Sequence, residues 1–187
     1  MTTYVALLRG INVSGKNFIR MPALQNSISG LGFRDVQTYL QSGNIVFRTD
    51  PSDEATLAAS IKTRIEQDFG HEVPVLVLSA KELDWIESPT RIANSNPFWP
   101  QTGGEEKLFH CTFLFQPVAP AIFQTLKLPA AAGERAVFVG SAVLLHCPHG
   151  YGKTKLNNSF FERALGVPAT TRNWRTVLAL QALCSAP

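Results

Sequence analysis

Apolar residues along the chain change their period at short intervals, and the changes spell out one order of elements twice. The run in "TYVALLR" is short and continuous, which predicts a buried strand. Pro22 suits the first turn of a helix, and Leu24, Ile28 and Leu31 fall at i, i+4 and i+7 before Gly32 stops it. "DVQTYL" and "NIVFRT" read as strands joined at "QSGN", a hairpin signal. A helix is predicted from Asp53, with Leu57, Ile61, Ile65 and Phe69 on one stripe and Gly70 at its end. "EVPVLVLS" is the fourth strand, and Pro74 assigns it to an edge because proline cannot donate to a ladder. Ser79 and Glu82 form a capping box for a short helix around Leu83 and Ile86.

Residues 88–106, "SPTRIANSNPFWPQTGGEE", are rich in Pro, Asn, Ser and Gly and read as a linker, pinned to a domain surface by Phe98 and Trp99. The cycle then restarts. "KLFHCTFLF" is a strand, "APAIFQTLK" a short helix, "RAVFVG" and "AVLLHC" a hairpin, "NNSFFERALG" a helix and "PATT" a brief strand. A final helix runs from about Asn173 to Cys184, with Trp174, Val177, Leu180 and Cys184 apolar. The predicted fold is α+β: two tandem ferredoxin-like (β-α-β-β-α-β) plaits with an extra C-terminal helix. The domains are residues 1–87 and 107–187, the second carrying the last helix.

This topology groups the loops. The first and second strands of such a sheet run one way, the third and fourth the other. "RGINVSGKN" (Arg9–Asn17), which leaves the first strand, therefore shares an end with the "QSGN" hairpin. In the second half, "PHGYGKTKLNN" shares an end with "TTRNW". Each half thus gathers one polar cluster.

Hydrophobic content of 45% with 17% charged residues is that of a globular protein, and no apolar run approaches the ~20 residues of a membrane span. "MTTYVALLRG" has no basic leader, and Cys111, Cys147 and Cys184 are scattered, so a cytoplasmic chain with reduced thiols is expected. Cys147, beside a loop containing Gly and Pro, is expected to react faster than Cys111 or Cys184 on their apolar stripes. Charge is uneven. Residues 1–106 carry 9 Lys+Arg against 12 Asp+Glu, and residues 107–187 carry 8 against 2. No acidic residue precedes Asp35, whereas Arg9, Lys16, Arg20 and Arg34 do. The amino-terminal loop and the second half should therefore attract an anionic partner.

"CPHGYGKT" imitates a phosphate loop but has Cys147 where the pattern needs glycine, and it follows a hairpin strand. A looser role remains: Gly150 and Gly152 let amides turn toward a ligand, and Lys153 and Lys155 add charge before a helix. His110-Cys111 and His146-Cys147 suggest a metal, yet alternation sends adjacent residues to opposite faces, so neither metal nor cofactor is expected. An RNA-binding sheet would need several aromatics in "SGNIVFR", where Phe47 stands alone. Nucleic acid held by loops and charge remains an alternative. In "TTRNWRTV", Thr171 or Asn173 caps a helix with Arg172 and Arg175 in its first turn, where cations oppose the macrodipole and call for partners.

"YVALLRGINVSGKN", "YLQSGNIVF", "GYGKTKLNNSFFE" and "ATTRNWRTV" together resemble the bacterial family catalogued as "domain of unknown function 1697". The resemblance runs through nearly the whole chain. It implies two tandem ferredoxin-like plaits and no established activity, and it implies glycine where this chain has Ser14.

The reading is a binding protein that takes an anionic, phosphate- or carboxylate-bearing small molecule in a cleft between its domains, with no membrane partner. Arg9, Asn12, Lys16, Asn17, Gln41, Ser42 and Asn44 form one wall; Lys153, Lys155, Asn157, Asn158, Arg172 and Asn173 form the other. An enzyme is the second alternative, with His149 and Ser42 as nearby candidates but no nucleophile, base and orienting group at a recognisable spacing. Limited proteolysis should cut first within residues 88–106 and leave two compact fragments. Early cutting inside residues 35–50 would instead dissolve the hairpin assignment.

Overall fold

A computed structural model describes residues 1–13, 15–87 and 106–185; Ser14 and residues 88–105, and with them Phe98 and Trp99, lie outside the described residues. Strand β1 (Thr2–Leu8) is apolar at successive positions and is buried from Tyr4 to Leu8. It therefore occupies the middle of a sheet. Hairpin strands β2 (Arg34–Tyr39) and β3 (Asn44–Thr49) lie on one side and β4 (Val75–Ser79) on the other, in the antiparallel order β2-β3-β1-β4. Pro74 precedes an edge strand, as its missing donor requires.

Helices α1 (Met21–Ser29) and α2 (Glu54–Phe69) bury Leu24, Ile28, Leu57, Ile61 and Ile65 against Tyr4, Ala6, Leu8, Ile45 and Phe47. Each leucine, isoleucine or phenylalanine among them contributes roughly 1.5–3 kcal/mol on burial. Phe47 stacks on Phe33 at 4.5 Å and on Tyr4 at 5.8 Å, so the lone aromatic of its strand is core. Helical bonding in α1 ends at Ser29, and tighter turns from Ile28 and Ser29 carry the chain to Gly32. The Asp53 carboxylate accepts the Thr56 amide to open α2, and Gly70 closes it in the left-handed region. Ser79 and Glu82 make the predicted reciprocal cap of α3 (Ala80–Glu87).

The second half repeats the scheme. After a 3-10 turn at Glu106–Leu108, strand β5 (Phe109–Leu114) is buried throughout and central in β6-β7-β5-β8, again all antiparallel. Its partners are β6 (Arg135–Val139), β7 (Ala142–His146) and β8 (Ala169–Asn173). Short helix α4 (Pro120–Thr125) and helix α5 (Asn158–Leu165) complete the pattern, with Phe161 of α5 in a core of Leu114, Val143, Leu145, Cys147, Leu156 and Ala169. Six helices and two four-stranded sheets are present among the described residues.

Helix α6 (Trp174–Ser185) starts one residue later than expected, because Arg172 and Asn173 still belong to β8. The chain forms two compact units, Met1–Asp84 with Leu180–Pro187 and Trp85–Ala179. The last helix, expected wholly in the second domain, is thus shared: Gln181 Nε2 donates to the Leu83 carbonyl at 3.2 Å inside the first unit. Among the described residues no helix is long and apolar enough to cross a membrane.

The thiols correct the sequence expectation. Cys147 is fully buried among Leu156 and Phe161, and burial pushes its thiol up to about 11. Cys111 is equally buried, and its thiol is raised further by burial alone. Cys184, the only one of the three with partial exposure, is raised to about 11 by burial and then by Asp84. In a timed reaction with a thiol reagent at neutral pH, Cys184 should label first. Cys111 and Cys147 should label only as the fold opens; early labelling of Cys147 would contradict its burial.

Candidate functional site

At the end of the first sheet, the amides of Leu8 and Arg9 leave β1 and bond to the carbonyls of Gly43 at 2.8 Å and Pro74 at 3.0 Å. Gly43 has φ +74, and a Cβ there would meet the Leu8 Cβ at 2.6 Å, so only glycine allows the approach. The two predicted loops therefore lie side by side. Asn12 joins them: its Nδ2 donates to the Gln41 carbonyl at 2.9 Å and the Ile19 carbonyl at 3.0 Å, while its Oδ1 accepts the Ile19 amide at 2.9 Å. Asn17 Nδ2 donates to the Gly10 carbonyl at 3.2 Å, and the Asn17 carbonyl accepts the Asn12 amide. Asn12 and Asn17 both have left-handed backbones, with φ of 52° and 48°, a region that asparagine tolerates better than most residues.

Asn44 is fully buried and gives its amide to the Tyr39 carbonyl at 2.8 Å and Ser42 Oγ at 3.0 Å. Asn12 and Asn44 thus each give two amide hydrogen bonds to the loops themselves, and Asn17 gives one. Lys16 is exposed and forms no side-chain bond or ion pair among the described residues, whereas Arg9 is half-buried.

The second cluster forms where β5 begins. Cys147 N donates to the Leu108 carbonyl at 2.8 Å, and the chain turns through Gly150 (φ +89) into a 3-10 turn at Tyr151–Lys153. The Tyr151 ring stacks on His110 at 4.7 Å. Lys153 and Lys155 are exposed with no ion pair among the described residues. Asn157 caps α5 by accepting the Phe160 amide. Thr171 donates its hydroxyl to Asn158 Oδ1 at 2.6 Å, so the 2.7 Å contact with Thr112 carries the Thr112 proton.

Asn173 Oδ1 accepts the Arg175 amide while its Nδ2 donates to the Lys107 carbonyl and to His110 Nε2 at 3.3 Å. This fixes the amide's orientation and makes His110 Nε2 an acceptor, so the imidazole is neutral with its proton on Nδ1. Burial lowers the His110 pKa, with the Leu108 backbone opposing, which maintains that state.

Arg172 is 6% exposed. It pairs with Cys111 across the sheet rather than sitting in a helical turn, and its Nη1 donates to Thr170 Oγ1 at 2.8 Å and the Thr171 carbonyl at 3.0 Å. Burial lowers its pKa to about 10, and nearby Tyr151 counters that shift, so it stays charged at neutral pH. Arg175, which is in the first turn of α6, reaches Glu106 at 3.8 Å. His149 Nε2 is engaged with the Ala132 carbonyl at 3.0 Å. Among the described residues no three His, Cys, Asp or Glu side chains converge as a metal site. Sequence reasoning did not single out Tyr151, Thr112 or Phe18; strand alternation from His110 would have placed Thr112, but nothing local marked Tyr151 as the ring above His110.

Fold and loops define an α+β protein of two four-stranded antiparallel units with braced, cation-bearing loops. The chain belongs to the family described as "Protein of unknown function (DUF1697)", whose pattern matches residues 1–144. It is similar over 98% of its length to the conserved bacterial protein SP0830 from Streptococcus pneumoniae, covering 99% of that chain with 24% identity and a TM-score of 0.72. That likeness concerns the fold alone. No curated protein matches the chain.

The Asn12 latch can be tested against its neighbour. Asn12→Ala removes three side-chain bonds and should lower stability by about 1–3 kcal/mol in urea denaturation. Lys16→Ala should stay within about half a kcal/mol. Equal effects would mean that the latch holds nothing.

Proposed function

We propose that the chain binds an anionic small molecule bearing a phosphate or carboxylate, and that both units are ferredoxin-like plaits serving as rigid mounts for the loops that do so. The alternating β-α-β-β-α-β order and the two sheet orders support the plait reading. Three unbridged thiols support a reducing, cytoplasmic setting.

The observation that carries the ligand reading is the charge imbalance around the Gly150–Lys155 turn. From Glu106 onward the described chain has three acids, and each is engaged elsewhere: Glu106 with Arg175, Glu134 with the Ala131 amide and Glu162 with the Ala169 amide. Among the described residues, Lys153 and Lys155 form no ion pair on a turn that Tyr151 seats on His110. Chain reversal alone needs no such pair. Two ammonium groups on a braced turn provide the charge for an anion. No reaction is assigned.

A ligand that binds only the folded state stabilises it by mass action. Melting temperature should therefore rise with phosphate or sulfate concentration for the wild type, and the rise should shrink for the Lys153→Ala/Lys155→Ala double variant. Equal responses in the wild type and the double variant would remove the second unit's turn from the proposal.

A further inference from the structure

Beside the latch, the segment Lys16–Arg20 carries a feature that chain reversal does not explain. Phe18 is 67% exposed, although its neighbour Ile19 is only 1% exposed. Ile19 is fixed at both backbone groups by Asn12, so the Phe18 ring projects from a clamped backbone rather than a loose one. Lys16 and Arg20, two residues to either side, are exposed and form no ion pair among the described residues. No acid occurs before Asp35, nor in the adjoining Leu40–Asn44 turn. Val13 and Leu40, 57% and 55% exposed, respectively follow Asn12 and precede Gln41, which the latch joins, and so add exposed apolar side chains to the same pair of loops.

We propose that this end of the first unit is a contact site for single-stranded nucleic acid, with Phe18 as the surface on which a base stacks and Lys16 and Arg20 as phosphate contacts. An exposed ring between cations is the combination that holds single strands without sequence preference. An unpaired base offers its face to the ring; a base inside a duplex does not. Cations on both sides of the ring favour a strand running across it. A lipid surface would instead be met by an apolar tip with the charges set back from it. A second copy of this chain would bring like charges together. The site is carried by residues of the first unit alone and does not depend on the anion reading of Lys153 and Lys155.

Fluorescence anisotropy with labelled oligothymidine, oligouridine and a duplex of equal length tests it, at about 50 mM and about 200 mM salt. The wild type should bind the single strands more tightly than the duplex. Phe18→Ala should weaken that binding about fivefold or more, and Phe18→Trp should retain it. Lys16→Ala/Arg20→Ala should flatten the dependence of log K on log salt by about 1.4, the loss of two single-strand phosphate contacts. Lys153→Ala/Lys155→Ala should alter the phosphate response of the melting temperature and leave the Phe18 effect intact, which separates the two readings. Absence of oligonucleotide binding at the lower salt would overturn the proposal, as would wild-type affinity in Phe18→Ala. Phe18-dependent binding to phosphatidylglycerol vesicles without strand binding would make the surface a lipid contact instead.

Discussion

A strand buried on both faces must find partners for its last amides as the chain leaves it, since an unpaired buried N–H costs about as much as a lost hydrogen bond. Strand β1 meets this demand by giving Leu8 N–H to the Gly43 carbonyl and Arg9 N–H to the Pro74 carbonyl. Those two bonds tie the β2–β3 hairpin and the start of β4 around one exit. The missing Cβ at Gly43 follows from that approach, and the approach in turn puts Gln41 within reach of Asn12. The position of the whole loop cluster depends on satisfying two amides.

The second unit uses the same device. Leu114 N–H bonds to the Ser141 carbonyl at 2.9 Å, and Phe115 N–H to the Pro168 carbonyl at 2.9 Å. A leucine leaves the central strand, a hairpin carbonyl receives it, and a proline carbonyl ahead of the edge strand receives the next residue. This is a repeat of hydrogen bonds where little sequence is repeated. The polar clusters do not follow it. The first unit's cluster sits where β1 ends, whereas the second unit's sits where β5 begins, around His110, Tyr151 and Asn173. A common scaffold has thus been furnished at opposite ends.

The order of elements was legible because it rests on features that act locally: Pro22 at a helix start, the Asp53 cap, the Ser79–Glu82 box and left-handed Gly70. The pairing of loops was legible as well, since it follows from strand direction. The tasks of individual polar side chains were not. Asparagine type says that a donor and an acceptor exist, but only the folded backbone decides what takes them. Asn12, Asn17 and Asn44 were claimed by carbonyls from 5 to 29 residues away, distances over which sequence carries no signal. Cys147 was misjudged for a related reason. It borders a turn, yet its amide is held by Leu108 and its thiol lies under Leu156 and Phe161. Arg172 lies in a strand of five residues, too short for its period to compete with the helix signals beside it.

Backbone strain bears on which cluster has been shaped for a task. The non-glycine residues with positive φ among the described residues are Asn12, Asn17, Asp35 and Leu40. All but Asp35 belong to the first unit's loop pair. Asparagine accepts this conformation at modest cost, but Leu40 has no side-chain hydrogen bond to offset it, and a left-handed residue of that kind costs on the order of 1–2 kcal/mol. A loop whose only task was to join β2 to β3 would place glycine or asparagine there. At Leu40 the strain holds an apolar side chain out into solvent, next in the chain to the Gln41 carbonyl that the Asn12 latch holds, where packing gains little from it. Strain that buys no core contact is better understood as the cost of presenting a surface, which is why the first unit's loops, rather than its sheet, are the part of the molecule to question about function.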